Sequence, residues 1–266
     1  MLKRIILLTG LLCLGFLASC AGAERPAAGN SPSNPSEPEG GLLQFSQPRP
    51  GDTKVILHTN MGDITIRLFP EEAPMAYENF TTHARNGFYD NVIFHRVIHD
   101  FMIQGGDPEG TGMGGESIWG HGFGPEFSMY LRHFRGALAM AQSAMPNSIG
   151  SQFYIVHNTD IERFASPQIL GLFEHALDNQ DELVDEGPDG ERVYMRDLLS
   201  TEMIEAYKRY GGTPHLDLIL NPSGHTVFGQ VVDGMDVVDA IAEVEVGAAD
   251  RPLEDVVILS TTVTEF

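Results

Sequence analysis

Residues 91–106 read NVIFHRVIHDFMIQGG, and this stretch decides how the fold is interpreted. Its apolar and β-branched residues predict two short strands, with His99-Asp100 as the turn between them. Arg96 lies inside the first apolar run. An arginine among apolar strand residues is costly to bury unless it is paired or functional, so Arg96 is the first candidate for chemistry. A structural arginine bonded to carbonyl groups is the alternative.

The alternation of side chains along a strand assigns this stretch to faces. It predicts that Phe94 and Ile98 share the face of the arginine between them. Beyond the turn it places Met102 and Gln104 on one face and Phe101 on the other. The prediction therefore is a strand pair with one partly polar face.

The rest of the chain from residue 54 onward alternates short strands with turns. Two helices frame the strands: Pro74 opens the first, which ends at Gly87, and the second follows Gly234. Many short strands with only two framing helices predict a mainly β fold, a closed antiparallel barrel capped at its ends. The strand-like runs are 55–59, 63–68, 92–98, 101–104, 136–141, 152–156, 226–232 and 255–264.

Residues 158–212 interrupt this pattern. Ser166-Pro167 forms an N-cap and first-turn pair that predicts one helix. A second helix is predicted from about Glu191 to Tyr210, and the acidic stretch 178–191 before it is interpreted as a solvated loop. We interpret the segment as a helical insertion on the barrel, because its apolar faces are too few for an independent core.

The beginning of the chain has the pattern of an export signal. Lys3-Arg4 precedes an apolar run over 5–18 that is too short for a comfortable bilayer span. The run ends in Leu17-Ala18-Ser19-Cys20, which resembles the lipobox of bacterial lipoproteins, where the chain is cut before a lipid-carrying cysteine. We expect residues 1–19 to be a lipoprotein signal peptide and Cys20 to be lipidated. An ordinary secretory signal and an uncleaved anchor are the alternatives.

Cysteine content excludes several kinds of site, and composition separates a tether from the folded domain. Only Cys13 and Cys20 occur, so the mature chain offers no disulfide framework, no cysteine nucleophile and no thiolate metal site. Residues 20–52 are rich in Pro, Gly, Ser, Asn and Glu and predict a lipidated cysteine followed by a flexible tether. The domain is therefore expected over 53–266.

The charge of the chain limits its partners. A formal net charge of −21 repels phosphate backbones, so we expect no nucleic-acid partner. The usual meaning of such acidity is solubility.

Further motifs follow the opening stretch in a fixed order, and together they resemble the cyclophilins, a family of peptidyl-prolyl cis/trans isomerases. The resemblance covers about 53–157 and 213–266. It implies a closed eight-stranded antiparallel β-barrel capped by two helices, and isomerisation of X-Pro peptide bonds. The motifs are Phe94 to Ile98, Phe101 to Pro108, Gly110 to Gly115, Glu126-Phe127, Gly136 to Ala141, Ser151 to Phe153 and Val227 to Gly229.

This reaction makes modest chemical demands. Twisting a peptide bond costs ~18–20 kcal/mol because conjugation is lost, yet no covalent bond breaks. A hydrogen-bond donor aimed at the pyramidal nitrogen favours the twisted state selectively. Arg96, which is permanently charged and carries five fixed donors, suits this task. We therefore expect no cofactor and no metal.

The resemblance also implies roles for individual residues. Arg96 matches the catalytic arginine, Phe101 and Met102 match the proline pocket, and Gln104 matches the glutamine that bonds the substrate backbone. His215 stands where animal cyclophilins carry tryptophan, which implies weak cyclosporin binding. Further substrate-binding matches are Ala141, Gln142, Gln152, Tyr154, which would make the pocket slightly more polar, Leu216 and His225.

The expected partners are proline-containing polypeptide clients and, through the lipid anchor, a membrane, with the protein a monomer. Ala21 lacks the aspartate that retains many lipoproteins at an inner membrane, so an outer-membrane location facing the periplasm is expected in a Gram-negative source. A holdase that grips extended clients remains an alternative, and a metal-dependent hydrolase is disfavoured because no clustered ligand set is visible.

Overall fold

A computed structural model describes residues 42–186 and 190–266 of the chain. Among them, a nine-stranded antiparallel sheet runs in the order β3-β11-β1-β2-β10-β6-β7-β5-β4, and β8 pairs with β9 as a separate hairpin. The strands are β1 (Thr53–Thr59), β2 (Gly62–Leu68), β3 (Val92–Ile93), β4 (Arg96–Ile98), β5 (Met102–Gly105), β6 (Ala137–Met140), β7 (Phe153–Val156), β8 (Leu183–Glu186), β9 (Arg192–Tyr194), β10 (Val227–Asp233) and β11 (Val257–Glu265).

Six α-helices accompany the sheet in the described residues. The two predicted framing helices are confirmed as α1 and α6, and the Glu126 carboxylate caps α1 by accepting bonds from the N–H groups of Met75 and Ala76 at 2.9 and 2.8 Å. The helices are α1 (Pro74–Arg85), α2 (Ile161–Phe164), α3 (Pro167–Asp178), α4 (Met195–Leu198), α5 (Thr201–Tyr210) and α6 (Met235–Ala242).

The sheet curls into an open half-barrel, so the mainly β prediction is confirmed but the closed eight-stranded barrel is not. The edge strands β3 and β4 do not pair with each other and are joined through Phe94-His95. At this junction the Phe94 N–H donates to Val256 O at 2.9 Å, beside β11, whereas β4 pairs with β5. The prediction that Phe94 shares the face of Arg96 is therefore wrong, because alternation fails across the break.

The concave side of the sheet holds the main core. Alternate residues of each strand point inward and are fully buried, and Phe94 joins them there. Burial of a large apolar side chain stabilises the fold by ~1.5–3 kcal/mol, so this cluster supplies most of the driving force. Strand residues in the cluster include Val55, Leu57, Ile64, Ile66, Val97, Ile103, Leu138 and Ile155.

The insertion has a core of its own, which corrects the expectation that its apolar faces are too few. Ten buried residues form this cluster, and the barrel contributes only Phe134 to it. The others all come from 158–212: Ile161, Phe173, Ala176, Met195, Leu199, Met203, Ile204, Ala206 and Tyr207.

The secondary structure of the insertion also differs from the prediction. Ser166 caps α3 as predicted, with its side chain accepting from the Ile169 N–H at 3.3 Å. The prediction of one long helix over 191–210 is wrong, because this range contains β9, α4, a break and α5. Ser200 starts α5 by accepting from the Met203 N–H at 3.2 Å. Serine competes with the helix for backbone donors, which explains the break. Within the acidic stretch, residues 183–186 form strand β8, which pairs with β9, and not a loop.

Part of the predicted tether packs on the domain. Residues 1–41, including the signal peptide and Cys20, lie outside the described residues. Residues 42–52 are described, and Gln44 among them is 2% exposed. Its amide nitrogen donates to Arg132 O and to Gln230 Oε1, each at 2.9 Å, and its oxygen accepts the Arg132 N–H at 2.7 Å. The folded domain therefore begins before residue 53.

Replacing Gln44 with alanine is expected to lower the free energy of unfolding by about 2–3 kcal/mol, because buried donors and acceptors lose their partners. Chemical denaturation measures the change. Gln47→Ala is the matched control, since Gln47 is exposed three residues away. Equal effects of the two substitutions would contradict the packing of this segment.

No helix among the described residues combines the length and apolar content that crossing a bilayer requires.

Candidate active site

Four strands align a row of side chains on the convex face of the sheet. In the strand register, Arg96 of β4 is opposite Gln104 of β5, and Gln104 is opposite Tyr154 of β7. Tyr154 in turn is opposite Ala139 of β6. Residues opposite each other on neighbouring strands share a face, so these four side chains lie on one face of the sheet. The pairing confirms the predicted neighbourhood of Arg96 and Gln104.

An apolar cluster adjoins this row, and it is the candidate pocket. Met102 and Tyr154 belong to its buried part, and Phe101, Ala141 and Leu216 pack against it. Phe101 was predicted on the face opposite Met102, and that prediction is wrong, because Phe101 lies in the turn before β5 and not in the strand. The remaining residues of the pocket cluster are Phe69, Leu131, Ala137, Ala139, Val156 and Val227, with Leu43 and Ile98 at its edge.

The amide of Gln104 is fixed by a relay of hydrogen bonds. Gln104 Nε2 donates to Gln152 Oε1 at 2.9 Å, and Gln152 Nε2 donates to Gly114 O at 2.8 Å. The Gly114 N–H donates to Asp107 Oδ2 at 3.2 Å. The glycine-rich loop thus holds Gln152 and Gln104 in place.

Asp107 organises that loop from inside. Its carboxylate is fully buried and accepts the N–H groups of Glu109, Thr111 and Gly112 at 2.7–2.9 Å, besides that of Gly114. Burial by itself would raise the pKa of Asp107, but these donors together hold that pKa below its ordinary value. A Cβ on Gly114 would collide with the carboxylate, which explains a glycine there.

Arg96 is placed to meet a ligand. Its side chain is 42% exposed, and its Nε lies 3.5 Å from Asp250 Oδ2. Asp250 and Ala249 both adopt left-handed backbone angles, with φ of 58° and 59°. This tight turn carries a carboxylate to the rim beside the guanidinium. Such an exposed ion pair stabilises little, so the guanidinium can exchange it for a substrate contact.

The segment 213–225 forms the opposite wall. The ring of His215 stacks on Phe101, with centroids 6.0 Å apart and planes at 23°. The His225 N–H donates to Leu216 O at 2.9 Å, and Gln142 Nε2 donates to Gly224 O at 2.6 Å. The structure therefore brings the described site residues predicted from the sequence to one region of the fold. Cys20 is the only predicted site residue outside the described chain.

The hydroxyl of Tyr154 is hydrogen-bonded inside the fold. It lies 2.8 Å from His133 Nε2, and His133 Nδ1 lies 2.8 Å from Asp217 Oδ1. Both side chains are buried. The sequence does not distinguish His133 from the other histidines of the chain. No local signal pairs it with an aspartate 84 residues away.

The histidines at the groove are kept neutral. Burial, reinforced by His133, lowers the pKa of His225 to about 4. Burial likewise lowers the pKa of His215. Both rings therefore stay uncharged near neutral pH, and the cation of the groove is Arg96.

The described residues hold no group of three His, Cys, Asp or Glu side chains arranged for a metal ion. His95 and His99, whose spacing is compatible with metal ligation, lie in different environments: His95 is 6% exposed, whereas the His99 side chain is 55% exposed.

Comparisons with known proteins agree with this geometry. A family model described as "Cyclophilin type peptidyl-prolyl cis-trans isomerase/CLD" matches residues 54–263. A protein of Staphylococcus aureus (strain USA300) named "Putative peptidyl-prolyl cis-trans isomerase" is 46% identical over 215 residues, 81% of this chain and 93% of that protein. A protein of the same name from Staphylococcus epidermidis is 46% identical over 214 residues, 80% of this chain and 93% of that protein.

Solved structures give the same picture. The crystal structure of a Cryptosporidium parvum cyclophilin type peptidyl-prolyl cis-trans isomerase has a TM-score of 0.56 at 27% identity, covering 80% of this chain and 98% of that chain. The structure of that protein in the presence of the dipeptide Ala-Pro has a TM-score of 0.55, covering 79% of this chain and 98% of that chain.

Proposed function

The chain belongs to the cyclophilin-type peptidyl-prolyl cis-trans isomerase family, and on that premise we propose that Arg96 catalyses isomerisation of X-Pro bonds in extracytoplasmic polypeptides. The observation that carries the proposal is the row in which Arg96 stands opposite Gln104 beside an apolar pocket. A cation, an amide and an apolar pocket on one face are the three elements that the reaction requires.

Arg96 acts on the twisted state of the substrate. When the peptide bond rotates, conjugation is lost and the proline nitrogen regains a lone pair. A guanidinium N–H directed at that nitrogen bonds the twisted state more strongly than either planar state, which lowers the barrier. A rate gain of ~10⁵ requires only ~7 kcal/mol, a demand that one charged donor and a held substrate can meet.

The pocket and the glutamine relay hold the two sides of the bond. The proline ring packs against Phe101, Met102 and Leu216, which fixes the atoms on one side of the rotating bond. Gln104, held by Gln152, bonds the substrate backbone. With one side fixed, rotation of the other can proceed without release of the substrate. Ala141 and Gln142 lie where an extended client would add its backbone to the groove.

The experiment is to follow cis/trans exchange of an Ala-Pro peptide by NMR in the presence of substoichiometric purified protein. We expect the exchange to accelerate from the uncatalysed time of ~10–100 s to well under a second. Unchanged exchange in the presence of folded protein would reject the proposed function.

We further propose that Cys20 carries lipid and anchors the domain to a membrane, which in a Gram-negative source is the outer membrane on its periplasmic side, where proline-containing clients are encountered. The support is the sequence Leu17-Ala18-Ser19-Cys20 followed by a Pro/Gly/Ser-rich stretch. Labelled fatty acid should be incorporated in cells by the wild type and not by Cys20→Ala. Equal incorporation by both would contradict the anchor.

A further inference from the structure

A chain of buried polar groups connects the insertion to the pocket. The Tyr207 hydroxyl donates to Asp217 Oδ2 at 2.5 Å. Asp217 Oδ1 lies 2.8 Å from His133 Nδ1, and His133 Nε2 lies 2.8 Å from the Tyr154 hydroxyl. These four side chains are between 1% and 4% exposed. Together they form the Tyr207–Asp217–His133–Tyr154 network.

The direction of the bonds to Asp217 follows from the chemistry of its carboxylate. An ionised carboxylate only accepts hydrogen bonds, so Asp217 receives one from Tyr207 and one from His133 Nδ1. Asp217 Oδ1 also accepts the backbone N–H of His133 at 2.8 Å. On the other side of the ring, His133 Nε2 and the Tyr154 hydroxyl share the remaining hydrogen bond of the network. Removing one of the four side chains would leave a buried polar group of its neighbour without a hydrogen-bond partner.

The four residues belong to different parts of the fold. Tyr207 is on α5 of the insertion, and Tyr154 is on β7 in the pocket floor. Asp217 follows directly on the 3-10 turn Pro214–Leu216, which carries two residues of the pocket wall. The Thr213 N–H also donates to His133 O at 2.8 Å. The wall segment is thus attached to the insertion on one side and to the floor on the other.

We propose that the insertion sets the width of the proline pocket through this network, with Tyr207 and Asp217 as positioning residues. The inference rests on the proposed function, because it takes the pocket to be the site of the proline ring. Asp217 carries its charge without solvent, so the 213–217 segment keeps its position only while Tyr207 and His133 both donate to it. If the Tyr207 donor is lost, the wall shifts to let water reach the carboxylate, and His215 and Leu216 move with it.

The test compares Tyr207→Phe with Tyr210→Phe on the full chain. Tyr210 is on the same helix, is 41% exposed and packs its ring on Phe45, outside the network. With the Ala-Pro peptide, KM should rise about five- to tenfold in Tyr207→Phe, with kcat within about twofold, and should not change in Tyr210→Phe. Measurements are made well below each variant's Tm. A purely structural role would lower the Tm of Tyr207→Phe and leave its KM unchanged, and that result would overturn the proposal.

A second variant tests the network from its other end. Tyr154→Phe removes the hydroxyl bound to His133 and keeps the ring in the pocket. It should reproduce the rise in KM, and Tyr154→Phe combined with Tyr207→Phe should raise KM no further than either alone, since both break the same network. Effects that multiply would overturn the proposal.

The inference and the proposed function fail in different ways. If the wild type is inactive, or if Arg96→Ala is as active as the wild type, the proposed function fails. If the wild type depends on Arg96 and Tyr207→Phe keeps its KM, only the coupling between insertion and pocket fails.

Discussion

Arg96→Ala is expected to lower kcat/KM for an Ala-Pro peptide by about 10²–10³-fold, the usual effect of removing one donor that acts on the transition state. The loss should fall mainly on kcat, because the pocket and the glutamine relay that bind the ground state remain intact. Exchange spectroscopy at saturating and subsaturating peptide separates the two constants. Arg96→Lys should be intermediate, since it keeps the charge and loses the fixed fork of donors.

The fold should tolerate this substitution. The Arg96 side chain is 42% exposed and its ion pair with Asp250 is at the surface, so the free energy of unfolding should change by less than ~1 kcal/mol. Arg192→Ala is a matched control. Arg192 is 57% exposed and, like Arg96, forms a surface ion pair: its Nε lies 3.3 Å from a Glu186 carboxylate oxygen of the insertion. Similar kcat/KM values for the Arg96→Ala and Arg192→Ala variants would remove the mechanistic assignment.

The parts of the fold that the sequence predicted correctly are those set by local chemistry. Helix α1 begins at a proline, and Ser166 followed by Pro167 marks the start of α3, because caps depend on residues a few positions apart. The pairing of Arg96 with Gln104 follows from a short turn between two strands. These features need no knowledge of the rest of the molecule.

The features that the sequence did not predict depend on distant partners. Gln44 sits in a Pro/Ser-rich stretch that has the composition of a tether, yet its partners Arg132 and Gln230 are 88 and 186 residues away. Phe94 is bonded to Val256 beside β11, whereas Arg96 pairs with Gln104 of β5, so the two residues belong to different strand pairs. His133 acquires a role only when Asp217 folds beside it. Burial and polar satisfaction, which are properties of the whole fold, decide these positions.

Asp107→Asn is expected to be the most damaging of the conservative substitutions in the chain. The asparagine amide has the shape of the aspartate carboxylate, but its NH₂ group would replace an oxygen that now accepts backbone N–H groups. Two donors would then face each other. Loss of a buried, fully bonded carboxylate should lower the free energy of unfolding by about 3–5 kcal/mol. Because Gly114 connects Asp107 to Gln152 and so to Gln104, kcat/KM should also fall at least tenfold in the fraction that stays folded.

The dependence on pH identifies the carboxylate as the cause. The pKa of Asp107 is lowered in the folded state, so the ionised group stabilises the protein above the pKa of the unfolded chain, near 4, and this stabilisation is lost as the pH falls through the folded value. Urea denaturation of the wild type and of Asp107→Asn should therefore differ most at pH 7, and the difference should shrink as the pH falls below the unfolded value, near 4.

The control is Asp181→Asn, which alters an aspartate whose side chain is 92% exposed in the insertion. It should change the free energy of unfolding by less than ~0.5 kcal/mol at any pH. A difference between wild type and Asp107→Asn that stayed constant from pH 7 to pH 3 would show that the amide disturbs the loop by its shape. The charge would then have no part in holding Gly114. The relay would still connect Gly114 to Gln104. A neutral acceptor at position 107 would then be enough to hold Gly114, and the lowered pKa of Asp107 would have no consequence for the position of Gln104.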